Sequence, residues 1–93
     1  FTFLGFLPNK KGRQTALSKI AASEMPVILY ESPHRILKLL KELENVSHII
    51  IARELTKIYE EVISGTPEEL QAHFRAHPDR VRGEFVIIIE PEK

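Results

Sequence analysis

Five short segments of the chain are dominated by β-branched and aromatic side chains: TFLGFL (Thr2–Leu7), VILY (Val27–Tyr30), HIIIARE (His48–Glu54), EEVIS (Glu60–Ser64) and EFVIII (Glu84–Ile89). Their length and composition predict strands. Several are apolar almost without interruption. That pattern predicts burial on both faces, in a sheet sandwiched by helices, rather than the in/out alternation of a half-exposed sheet. Between them the periodicity changes. Arg13–Ala22 is a weakly patterned helix with Leu17, Ile20 and Ala21 on one face. A second helix is expected from Ser32 as N-cap and Pro33 as first helical residue, with Ile36, Leu39, Leu40 and Leu43 as its apolar stripe. The third has the clearest start: TPEE supplies Thr66 as N-cap, Pro67 at N1 and Glu69 at N3, a capping box, with Leu70 and Phe74 on the buried side. It ends before Pro78, and HPDRVRG leads into the last strand.

The order β-α-β-α-β-β-α-β predicts an α/β domain with a mixed five-stranded sheet flanked by helices. Right-handed crossovers make the first three strands parallel, so their C-terminal ends meet at one edge. The gap between the third and fourth strands is too short for a crossover, which makes that pair an antiparallel hairpin. Three polar clusters fall on the shared edge: PNKKGR (Pro8–Arg13), YESPHR (Tyr30–Arg35) and RELTK (Arg53–Lys57). In open α/β sheets this is where ligands bind.

Charge adds to the picture only locally. The 93 residues carry 13 basic and 13 acidic side chains, for a net charge of zero. Lys10, Lys11, Arg13, Arg35, Arg53 and Lys57, set against Glu31 and Glu54, nevertheless give the edge a formal +4. Such a focus attracts phosphate, nucleic acid or another anion. Each cluster also has a plainer reading. PNKKGR can be a solvated loop entering a helix. YESPHR can be a helix cap with His34 and Arg35 pointing outward. RELTK can be a salt-bridged hairpin turn in which Arg53 or Lys57 pairs with Glu54. Convergence on one edge favours function.

Composition narrows the classes further. The chain has no cysteine, which excludes disulfides and thiolate chemistry and fits a reducing compartment. Its apolar runs are far shorter than the roughly 20 residues of a membrane span. A soluble, cytoplasmic protein with no membrane partner is the expectation. Opening at Phe1 without an initiator Met, the chain is expected to be one domain, 1–93, of something longer. His73 and His77 have a chelating spacing on the third helix, but no further ligand completes a metal set, so no metal site is expected. Neither a P-loop, a GxGxxG nor a Ser-His-Asp pattern is present.

GFLPNKKGR, PVILYESPHRI, IARELTKIYEEVISGT and GEFVIII, in this order, span nearly the whole chain. Together they resemble the C-terminal domain of the bacterial 16S rRNA (cytidine) 2'-O-ribose methyltransferases of the tetrapyrrole (corrin/porphyrin) methylase superfamily. The resemblance implies half of an enzyme that binds S-adenosylmethionine between two domains and methylates a ribose 2'-hydroxyl of a cytidine in 16S rRNA. The Gly- and Pro-rich cofactor motif of the family's N-terminal domain is absent here, so the isolated domain is expected to be inactive. By the same resemblance Tyr30, Glu31, Ser32, Pro33, Ala52, Arg53, Glu54 and Thr56 face the cofactor cleft. Lys10, Lys11, Arg13, His34 and Arg35 would face the 16S rRNA or small ribosomal subunit. The catalytic group is left open; Glu31 or Glu54 could accept the hydroxyl proton. Two other readings stand beside this one. In the first, an RNA-binding module carries no chemistry; in the second, a dimerisation domain is marked by an exposed apolar patch away from the three clusters.

Overall fold

The structure, a computed structural model, describes residues 1–56, 59–81 and 83–91. Side chains at 54–56, 59 and 80 lie outside that description. The strands are β1 (Thr2–Phe6), β2 (Val27–Glu31), β3 (His48–Thr56), β4 (Tyr59–Gly65) and β5 (Phe85–Glu90). The helices are α1 (Arg13–Ala22), α2 (Ile36–Glu42) and α3 (Pro67–Ala76), followed by a short 3-10 turn at Pro78–Arg80. They form one sheet of order β1-β2-β5-β3-β4. β1 and β2 are parallel and every other neighbouring pair is antiparallel. Because β5 slots between β2 and β3, strands β1, β2 and β3 run the same way, and the expected shared edge exists.

The sandwich does not. Val27, Leu29, Glu31, Ile49, Ile51, Arg53, Phe85, Ile87 and Ile89 are buried, whereas the alternate residues of the same strands are half-buried or exposed. One face of the sheet is covered by helices and the other is open. Connection geometry gives the reason. The crossovers β1-α1-β2 and β2-α2-β3 step along the sheet in one direction with strands pointing one way. The crossover β4-α3-β5 steps back with strands pointing the other way. Right-handedness then sends all three helices to the same face, where α2 packs on α3. The core lies between these layers, with Leu29, Ile36, Leu39, Leu40, Ile49, Ile51 and Ile87 fully buried around the edge-to-face rings of Phe74 and Phe85, 5.4 Å apart. Each such side chain contributes about 1.5–3 kcal/mol by leaving water.

The open face is also apolar. Register places Phe6, Tyr30, Val86, Ala52 and Val62 in one row across all five strands, with Phe3, Ile28, Ile88 and Ile50 in the next. Normal alternation would put Phe3 and Phe6 on opposite faces. A bulge between Phe3 and Gly5, with Gly5 at φ 66°, adds one residue and brings both rings to Tyr30, at centroid distances of 5.3 and 5.6 Å.

The capping box of α3 forms as expected: Glu69 N–H donates to Thr66 Oγ1 at 3.1 Å and Thr66 N–H to Glu69 Oε1 at 2.8 Å. This holds the Glu69 carboxyl below the usual carboxylate range, through the Thr66 N–H first. The start of α2 differs from expectation. Ser32 to Arg35 form a turn, Arg35 N–H donates to the Ser32 carbonyl at 3.1 Å, and the helix begins at Ile36 with no side-chain cap. The Ser32 N–H donates to the Glu31 side chain.

Candidate functional site

At the shared edge, register aligns Glu31, Phe85, Arg53 and Glu61 across β2, β5, β3 and β4, on the helix-covered face. Glu31 is 3% exposed, and its Oε1 accepts the Ser32 N–H at 2.8 Å. Arg53 is equally buried and donates through Nη2 to Glu61 Oε1 at 3.0 Å. Its Nε and Nη1 have no acceptor among the described residues. Among the described residues the salt-bridge partner is Glu61; the side chain of Glu54, the expected partner, lies outside them. Residues adjacent in a strand point to opposite faces, while register neighbours share one. The expected pairing with Lys57 concerns a residue outside the described ones.

The same parity divides the expected cofactor residues. Glu31 and Arg53 lie on the covered face, while Tyr30 and Ala52 lie on the open one. Ser32 and Pro33 are half-buried in the intervening turn. Glu54 and Thr56 belong to β3, but their side chains are outside the described residues. On the open face, Ala52, Val62 and Val86 floor a cavity of about 470 Å³ that also meets Arg53 and is rimmed by Glu60, Glu61 and Glu84. Tyr30 is the next member of that row, beside Val86.

Of the expected RNA-facing residues, Lys10, Lys11, His34 and Arg35 are exposed. Arg13 is not: it is 4% exposed, with Nη2 at 2.5 Å and Nε at 3.2 Å from Glu42 Oε1, Nε also 3.0 Å from Oε2, and Nη1 donating to the Pro8 carbonyl at 3.0 Å. This is a correction, since a guanidinium so engaged ties α1 to α2 and is not a surface cation. Hydrogen bonding from Arg13, followed by the charges of Arg13 and Lys38, holds the Glu42 carboxyl below its usual range against the opposing effect of burial. Sequence reasoning passed over Glu42, Glu61 and Lys38. The first two meet their partners only across the fold, and no motif in the sequence marks Lys38. Elsewhere, the His73 and His77 rings stand 5.0 Å apart, and no group of three or more metal-ligating side chains occurs among the described residues.

No family model matches the sequence. Curated proteins do. The chain is 44% identical over 91 residues to the ribosomal RNA small subunit methyltransferase I of Borrelia garinii, covering 94% of this chain and 41% of that protein. To the protein of the same name from Haemophilus influenzae it is 40% identical over 95 residues, covering 97% of this chain and 34% of that protein. It therefore spans well under half the length of these relatives. Among solved structures, a cobalt precorrin-4 methyltransferase of cobalamin biosynthesis superposes with a TM-score of 0.67 at 17% identity, covering 96% of this chain and 40% of that one. The last match shows a shared fold. Over nearly its whole length, the chain is homologous to a segment of the ribosomal RNA small subunit methyltransferase I proteins.

Proposed function

We propose that the chain is the C-terminal domain of an S-adenosylmethionine-dependent methyltransferase that modifies a ribose 2'-hydroxyl of a cytidine in 16S rRNA. Arg53 carries the reading. A buried guanidinium with two nitrogens, Nε and Nη1, lacking acceptors among the described residues is costly unless something else accepts their N–H groups, and it stands at the strand edge where α/β ligands bind. S-adenosylmethionine fits the surroundings: its carboxylate suits Arg53, its sulfonium and ammonium suit the rim of Glu60, Glu61 and Glu84, and its adenine suits the floor of Ala52, Val62 and Val86. When bound, that group supplies the methyl. The chain's own part is to form one wall of the cleft, exclude water along the apolar floor and hold Glu31 and Arg53 fixed, so that positioning does much of the catalysis. The exposed Lys10, Lys11, His34 and Arg35 supply the rRNA contact.

The uncovered apolar rows support a further layer over the open face. We assign it to the remaining segment of the longer protein, since the relatives are more than twice this chain's aligned length. Replacing the aligned segment of the Borrelia garinii protein with these 93 residues tests the whole reading. The chimera is expected to yield 2'-O-methylcytidine in small-subunit rRNA, measured by nucleoside mass spectrometry, and Arg53→Gln to abolish it. A folded chimera without methyl transfer overturns the enzyme reading in favour of a binding or dimerisation module.

A further inference from the structure

A second cavity, of about 290 Å³, opens on the helix side of the same edge and is lined by Asn9, Lys10, Arg13, Arg35 and Lys38. We propose that it seats one phosphate oxyanion, which, resting on the rRNA reading above, is a single phosphate of the RNA backbone. Three separate stretches meet there: the loop after β1, the turn before α2 and the first turn of α2. Among the described residues, Lys10, Arg35 and Lys38 form no ion pair. The nearby carboxylate, Glu42, is already held by Arg13. Three cations without an ion-pair partner of their own around one concavity repel each other, and an entering oxyanion relieves that repulsion while accepting charge-assisted hydrogen bonds.

The seat is also preorganised, which an ordinary solvated lysine cluster is not. Arg13 anchors the loop through the Pro8 carbonyl and α2 through Glu42, so Lys10 and Lys38 are carried on elements fixed to one another. Arg35 is steadied by a hydrogen bond from Nη1 to Asn9 Oδ1. Fixed cations lose little entropy on binding. Arg13 is therefore a positioning residue, while Lys10, Arg35 and Lys38 are the groups that touch the ligand.

The test uses the 93-residue chain. Inorganic phosphate, titrated at constant ionic strength against chloride, should shift the amide resonances of Asn9, Lys10, Arg35 and Lys38. Lys10→Gln/Lys38→Gln should weaken binding about tenfold or more, while Lys19→Gln, at the far end of α1, should leave it unchanged. A short single-stranded RNA forms the second arm. There the double variant should also flatten the dependence of log K on log salt by about 0.7, the value for one phosphate contact on a single strand. Phosphate binding that localises to the cavity without RNA binding supports the seat and overturns the rRNA reading of it. Absence of phosphate-induced shifts, with RNA affinity and salt slope unchanged in the double variant, overturns the seat and leaves the rRNA reading standing.

Discussion

Replacing Arg13 with Met probes a contact that ties α1 to both α2 and the loop after β1. The side chains of Arg13 and Glu42 are 5% and 18% exposed. Removing one partner of a fully buried pair costs about 3–5 kcal/mol, because the other charge is left without compensation. Here the residual exposure of Glu42 lets water reach its carboxylate, so the expected loss is lower, about 2–3 kcal/mol, including the hydrogen bond to the Pro8 carbonyl. In a domain of this size that lowers the melting temperature by on the order of 10 °C or more. Glu42→Gln keeps an acceptor for the guanidinium and should cost less. A double-mutant cycle over Arg13→Met and Glu42→Gln should return a coupling of about 1–3 kcal/mol.

The pH dependence has a definite sign. Because the folded-state pKa of Glu42 is depressed, its contribution is complete above the usual carboxylate value of about 4.3 and is lost as pH falls through the lower folded value. The stability gap between wild type and Arg13→Met should thus be flat around neutrality and close in acid. Urea melts across that range measure it directly. A gap that persists undiminished after the carboxylates are protonated, or a coupling within error of zero, would refute the pair as the lock.

Three further outcomes are expected. Ser32→Ala should leave stability nearly unchanged, because no Ser32 side chain caps α2, whereas Thr66→Ala should cost about 1 kcal/mol by removing the acceptor for Glu69 N–H; equal losses in denaturant melts would contradict the observed helix starts. Arg53→Met with Glu61→Gln should leave the chain at least as stable as wild type, since two donors without acceptors cost roughly 1–3 kcal/mol each, while methyl transfer by the chimera is lost; a large loss of stability would mean that the fold itself depends on Arg53. Finally, Phe3→Ser/Phe6→Ser, at rings 54% and 56% exposed, should barely move the melting temperature yet reduce self-association in sedimentation; a wild-type dimer that reappears in the chimera would assign the open face to a second copy.

The elements and their order were legible because they depend on local signals: β-branched runs, the Thr66 and Glu69 box, and the Leu39, Leu40 and Leu43 stripe. The early start assigned to α2 failed for a local reason as well. Ser32 followed by Pro33 is a good cap sequence, but Ser32 to Arg35 close into a turn through the Arg35 N–H and the Ser32 carbonyl, and the helix starts at Ile36. The two ion pairs were beyond reach. Arg13 and Glu42 are 29 residues apart and meet only because α1 and α2 are adjacent, and Arg53 selects Glu61 through register rather than proximity in sequence.

The open face shows how an accurate reading of burial leaves open what supplies the cover on the second side. Unbroken apolar strands do call for cover on both sides, and the two rows through Phe6, Tyr30, Val86, Ala52 and Val62 and through Phe3, Ile28, Ile88 and Ile50 keep that requirement. The chain's own helices cannot meet it, because right-handed crossovers in this strand order place all three on the other side. The same parity separates Tyr30 from Glu31 and Ala52 from Arg53. Residues that look like one site in sequence therefore face two surfaces, and at the strand ends the cavity on the open face meets Arg53 from the other.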